Sequence, residues 1–247
     1  MGRASVHYTG SALLAACVLF SAPAQARSGP MIFDMPTAFG MSRAYVCVPE
    51  GTDGPFPTVI FIPNQLIARV GVGKSEAGGY AFTDFCETLA EDGFLAIAPV
   101  WPMSEDQAKL DRLIPDTLHY LDGHFPEQYD SSRVVLMGSA NGGALVMRSA
   151  AALPQVRALV FVGFTGDRRA KGPLASSGSF PKPVLILYAR NDQQAYGSPD
   201  KLSFTLQFFK NLGATTTTVD YPGGSEQFDA PGPWWDALLA FLDRTLV

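Results

Sequence analysis

Residues 133–147 read RVVLMGSANGGALVM. Val134 to Met137 reads as a short apolar strand, Gly138 to Gly143 as a glycine-rich turn, and the residues that follow as the first turns of a helix running to about Leu153. On the N-terminal side, Arg43 to Pro49 alternates like a strand, and Glu50 to Pro55 is turn chemistry. Thr58 to Ile62 (TVIFI) is a continuous β-branched and aromatic run, as expected of a strand buried on both faces. A Gly-rich loop is expected over Pro63 to Gly79. A helix follows over Tyr80 to Asp92, with Phe82, Phe85 and Leu89 at helical spacing and Gly93 as its stop. Phe94 to Ala98 is the next buried strand, and Asp106 to Leu121 a helix interrupted by Pro115. Beyond the turn come a strand (Ala158 to Val162), a long polar loop (Gly163 to Lys182) and a strand (Val184 to Tyr188). A helix (Pro199 to Leu212), a strand (Thr215 to Tyr221) and a closing helix (Trp234 to Leu246) complete the chain.

Strands that alternate with helices imply right-handed crossovers and a single α/β domain, with a mostly parallel central sheet covered by helices on both faces. Ligands of such sheets bind at the carboxyl ends of the strands. The domain is expected over residues 43–247, preceded by an N-terminal arm at 27–42, within which Ser28 to Met41 reads as an arm or an irregular first strand.

Five phrases, PFPTVIFIPN, FLAIAPVWP, RVVLMGSANGG, PVLILYARND and YPGGSEQFDAP, occur in this order. Together they resemble the α/β-hydrolase fold, and within it the dienelactone hydrolase-like group, over most of residues 43–246. The resemblance implies a Gly-x-Ser-x-Gly nucleophile elbow, an acid after a late strand and a histidine after the last strand. It also implies main-chain N–H groups that hold the oxyanion.

In this chain the elbow frame is Gly138-Ser139-Ala140-Asn141-Gly142, so the nucleophile position carries Ala140, whose methyl group cannot attack a carbonyl. Asp192 stands at the acid position, and Glu226 stands where the family would usually place histidine. The three histidines are His7 near the N-terminus and His119 and His124 in the helix before the elbow strand, none at a strand's carboxyl end. On the oxyanion side the family often has His-Gly after the first long buried strand. Here Pro63-Asn64 replaces it, and proline has no N–H to donate. Gln65 and Asn141 remain as candidate donors. Trp101 and Tyr188 are further pocket candidates, whereas Trp234 and Trp235 read as packing residues.

These substitutions point to a family member that has lost its nucleophile and histidine and acts by binding. The competing reading is a hydrolase of esters or lactones with a non-standard mechanism. It would use either a water activated by Asp192 and Glu226 in a shared pocket, or Ser139, which sits one residue early and without an evident base. Glu226 as a solvated loop residue is the plainer expectation. No His/Cys cluster has metal-ligand spacing and no lysine-bearing phosphate loop is present, so neither metal nor cofactor is expected.

The chain has 247 residues, 47% of them hydrophobic, enough for a sizeable core. Arg3, the apolar run Ala12 to Phe20 and Ala24-Gln25-Ala26 form a secretory signal, which places the mature start at Arg27. Leu14 to Cys17 also resembles a lipobox, but the apolar run continues past Cys17, which favours a secreted or periplasmic protein over a lipid-anchored one. Loss of residues 1–26 removes Arg3 and no acidic residue, moving the formal charge from −5 to −6, which disfavours nucleic acid and anionic membranes as partners. A small molecule in the cleft or an envelope protein remains as the partner. Cys47 and Cys86 are then the only cysteines, and they are expected to be buried free thiols, although an oxidising compartment permits a disulfide.

Overall fold

A computed structural model of the chain describes residues 29–51, 53–149, 152–166, 179–193 and 197–246. Residues 1–26, read as a signal, Arg27, and Arg168, Arg169 and Lys171 of the polar loop lie outside the described residues.

Eight strands form one sheet: β1 (Met31–Thr37), β2 (Gly40–Cys47), β3 (Phe56–Ile62), β4 (Leu95–Pro99), β5 (Tyr129–Ser139), β6 (Val156–Val162), β7 (Pro183–Ala189) and β8 (Thr215–Tyr221). Their order across the sheet is β1-β2-β4-β3-β5-β6-β7-β8. The pairs β1–β2 and β2–β4 are antiparallel, and every pair from β4 to β8 is parallel. The helices are α1 (Leu66–Val70), α2 (Val72–Ala77), α3 (Phe82–Glu91), α4 (Gln107–His124), α5 (Gly142–Ser149), α6 (Leu202–Asn211) and α7 (Trp235–Leu246).

The strand pattern sorts the core into two layers. In β3, Ile60 and Ile62 face one layer and Val59 and Phe61 the other. In β5, Val134 and Leu136 oppose Val135 and Met137 in the same way. The first layer takes Leu113, Ile114 and Leu118 of α4, Leu145 and Val146 of α5 and Phe209 of α6. The second takes Phe82, Phe85 and Leu89 of α3 and Leu238, Phe241 and Leu242 of α7. Each of the fully buried phenylalanines stabilises the layer by roughly 2–3 kcal/mol relative to exposure. Trp234 and Trp235 pack against Phe85, with ring centroids 5.8 and 6.2 Å away, as expected of packing residues.

Of the two readings of the N-terminal stretch, the strand holds: β1 hairpins with β2 in continuous register from Met31↔Val46 to Thr37↔Gly40, and Phe33 packs on the first layer. Three expectations are corrected. The stretch after β3 holds two short helices, α1 and α2, divided at Gly71, rather than a continuous loop. Helix α4 continues through Pro115, because Leu113, Ile114, Thr117 and Leu118 are buried around it and hold the turn in place. Cys47 and Cys86 form a disulfide with Cα atoms 5.6 Å apart. The sheet supplies that proximity: β2 pairs with β4, α3 packs over both, and residues 39 apart in sequence meet in the second layer.

The parallel strands bring their carboxyl ends to one edge. Ile62 lies opposite Gly138, and Ser139 opposite Val162, so the chain leaving β3, β5 and β6 converges there.

Candidate functional site

The elbow is built where β5 turns into α5. Ala140 has φ 46°, the only non-glycine residue of positive φ among the described residues. Its N–H donates to Val162 O at 3.0 Å, and its carbonyl accepts from Gly143 N at 3.0 Å. Two glycines permit the close approach. A Cβ on Gly138 would lie 2.6 Å from Gly143 Cα, and one on Gly142 would fall onto the carbonyl oxygen of Ile62 and within 2.8 Å of Pro63 O. The strained backbone shape of a nucleophile turn is therefore present with a methyl group at its apex.

A cavity of ≈ 370 Å³ opens above this turn. Of the candidates named from sequence, Asn64, Gln65, Ser139, Ala140 and Asn141 line it. Trp101 does not: it is buried, and its indole Nε1–H donates to Pro63 O at 2.9 Å, pinning the loop after β4 to the loop after β3. Tyr188 lies within β7, in register with Asp220 of β8, and is not among the lining residues.

Asp192 and Glu226 do not share the cavity. Asp192 is 3% exposed, and its carboxylate packs against Gly197 so closely that a Cβ there would displace it. Glu226 is exposed, in the 3-10 turn Ser225–Phe228, and its Oε1 accepts from Gly224 N at 3.0 Å. Its plainer reading as a solvated loop residue agrees with this placement. The carboxyl that Glu226 does influence is Asp229, which lines the cavity. Burial, aided by the charge of Glu226, raises the Asp229 pKa to about 6.

Ser139 is 5% exposed, and its side chain lies beside the hydroxyl of Tyr80. Burial pushes the Tyr80 hydroxyl far above its ordinary value, so it stays protonated and cannot serve Ser139 as a base. Tyr80 Oη also accepts from Asn64 N at 3.4 Å, and Ala81 N donates to Asp229 O at 2.7 Å. The segment entering α3 thereby touches the loop after β3, the elbow and the loop after β8.

Leu66, Arg69 and Met103 also line the cavity. Leu66 and Met103 are 39% and 65% exposed, and Arg69 has no ion-pair partner among the described residues. Sequence alone singles out none of these three as site residues, nor Tyr80 and Asp229. For Asp229 a signal existed: it follows the apolar anchor Phe228 in the phrase YPGGSEQFDAP, beside the position read as the histidine site. Among the described residues no group of three or more His, Cys, Asp or Glu side chains could hold a metal ion. No helix among them is long and apolar enough to cross a membrane.

Comparison with known proteins agrees with this architecture. A Salmonella typhi protein bearing the name carboxymethylenebutenolidase is 26% identical over 209 residues, which cover 76% of this chain and 73% of that one. The structure of a Klebsiella pneumoniae protein named as a dienelactone hydrolase superposes with a TM-score of 0.66 at 22% identity, over 87% of this chain and 98% of that one. A thermophilic esterase from Thermogutta terrifontis, solved with butyrate, superposes with a TM-score of 0.61 at 15% identity, over 89% and 94% of the two chains. At these identities the two structures speak for the fold alone. The sequence profile of the dienelactone hydrolase family matches residues 100–232, a span that takes in the elbow, Asp192 and Asp229. With more than half of its length matched in this way, the chain belongs to the dienelactone hydrolase family.

Proposed function

We propose that the chain is an exported member of this family whose cleft binds a small molecule without turning it over by the serine–histidine–acid route. The observation that carries the proposal is Ala140, held at φ 46° on the elbow and lining the cavity. Family chemistry needs a nucleophile at that point and a base beside it. The exposed Glu226, turned towards Gly224, supplies no substitute base. Export is supported by the signal-like residues 1–26 and by the Cys47–Cys86 disulfide, a bond that persists in oxidising compartments.

The test is hydrolysis of p-nitrophenyl acetate by residues 27–247. Release at the buffer rate is expected. Turnover that survives Ser139→Ala overturns the proposal, and turnover that vanishes in it moves the chemistry to Ser139. One observation favours a second reading. Asp229 lines the cavity with a pKa of about 6, a value suited to a general base at neutral pH. If a carboxylate-activated water operates here, Asp229 is its base. Turnover would then rise with pH around 6 and disappear in Asp229→Asn.

A further inference from the structure

Two side-chain amides in the cleft belong to one chain of hydrogen bonds whose direction is determined at both ends. The backbone N–H of Gln65 can only donate, and it meets Asn141 Oδ1 at 3.0 Å. That orients the Asn141 amide, whose Nδ2 donates to Gln65 Oε1 at 2.8 Å. The Gln65 amide is oriented in turn, and its Nε2 donates to Pro102 O at 3.4 Å, a group that can only accept. Main-chain groups at the two ends leave neither amide free to flip without losing a bond.

The position of this chain gives it meaning. Gln65 follows β3, and Asn141 follows the elbow apex. Both line the cavity with Ala140. A main-chain N–H at this junction is the kind of group that holds a carbonyl or carboxylate oxygen. Here that N–H is already taken from within the protein. Its neighbours are taken as well: Asn64 N–H donates to Tyr80 Oη at 3.4 Å, and Leu66 N–H to Asn64 Oδ1 at 3.0 Å.

We infer that Asn141 is a built-in competitor for ligand oxygen. A carboxylate or carbonyl compound reaches the Gln65 N–H only after the Asn141 amide swings away. Asn141 therefore sets the specificity of the cleft against ligands recognised through such an oxygen. The inference rests on the cleft being a binding site, but not on the absence of turnover.

Butanoate is a suitable probe, a small carboxylate that needs no nucleophile. It would be titrated into ¹⁵N-labelled residues 27–247 and into the Asn141→Ala variant, with the backbone amide of Gln65 followed by NMR. Removal of the internal acceptor is expected to tighten binding by about 10-fold, the worth of one regained hydrogen bond. The Gln65 amide should shift most, and in the unliganded variant it should exchange with solvent faster than in the natural chain. If Asn141→Ala does not fold, Gln65→Leu keeps the backbone N–H at 65 while removing the bonds that its side chain makes to Asn141 Nδ2 and to Pro102 O, and it should tighten binding by about 3-fold, since the Asn141 amide then swings more readily. Equal affinity in the natural chain and the variants overturns the inference. So does butanoate binding that is lost in Arg69→Gln and leaves the amide at 65 unmoved. Ester turnover by the natural chain would defeat the proposed function and leave this titration untouched.

Discussion

Opening the Cys47–Cys86 bond should cost this protein a large share of its stability. The bond closes a loop of 39 residues. Loop-closure entropy for a loop of that length stabilises the folded chain by about 4 kcal/mol at 25 °C, by restricting the unfolded ensemble. Typical domains have roughly 5–15 kcal/mol in total. Two perturbations separate the cross-link from the packing of its sulfurs, which are almost fully buried in the second layer. Reduction of the natural chain removes the cross-link alone. The double change Cys47→Ala, Cys86→Ala removes the sulfurs as well, and about 1 kcal/mol more should be lost for each. The assay is guanidinium unfolding of residues 27–247 followed by tryptophan fluorescence, with and without reductant. Because the effect lies in the unfolded state, the reduced chain should expose more surface on unfolding and show a steeper denaturant dependence. A reduced protein within about 1 kcal/mol of the oxidised one, with an unchanged slope, would refute the reasoning.

Other perturbations address the elbow and the cleft. Gly142→Ala places a methyl group on the main-chain oxygen of Ile62, so it should cost on the order of 3 kcal/mol or more, read as a lowered denaturation midpoint or loss of soluble protein. Ala140→Val puts a β-branched residue at φ 46° and should cost roughly 2 kcal/mol in the same assay, whereas Ala140→Gly should be near neutral, its relief of strain offset by unfolded-state entropy. Asp229 binds its proton more tightly in the folded state, with a pKa raised to about 6 from 3.8. Its contribution is therefore fully present below the unfolded value and lost as pH rises through the folded one. Because Asp229 is only part-buried, the loss should amount to about 1 kcal/mol, and Asp229→Asn should remove that slope from a pH series of unfolding midpoints.

Much of the architecture is legible in the chain because its strands are apolar enough to be recognised without their partners. Thr58 to Ile62 declares a strand buried on both faces, and Thr215 to Tyr221 coincides with β8. The five ordered phrases carry the family and the elbow. What escapes notice depends on distance in space. Cys47 and Cys86 meet only because β4 inserts between β2 and β3 and α3 crosses over β2 and β4. Pro115 breaks a helix on local grounds, since it lacks the N–H for Asp111 O, yet tertiary packing around Leu113 and Leu118 overrides the loss. In the site, Asn64, Gln65, Ser139, Ala140 and Asn141 were legible because they adjoin recognised strand ends. Tyr80 and Arg69 come from the stretch read as loop and helix start, with no pattern tying them to a strand end. Trp101 follows a strand end and still turns inward, because its indole N–H needs Pro63 O.

The shape of the elbow has a consequence for descent. The positive φ at position 140 is imposed by the hydrogen bond to Val162 O and by the close packing of Gly138 and Gly142, not by the side chain it displays. A hydroxyl arriving there would find its backbone already bent to shape. Alanine codons lie a single base change from serine codons, so lineages of this gene can regain or discard that hydroxyl with little effect on folding. Glutamate codons lie further from histidine codons, and the outward turn at Glu226 would have to be remade as well. In a relative that already lacks the histidine, residue 140 can therefore change between alanine and serine without restoring the family's chemistry. The identity and direction of residue 226 are the better guide to which relatives still perform chemistry.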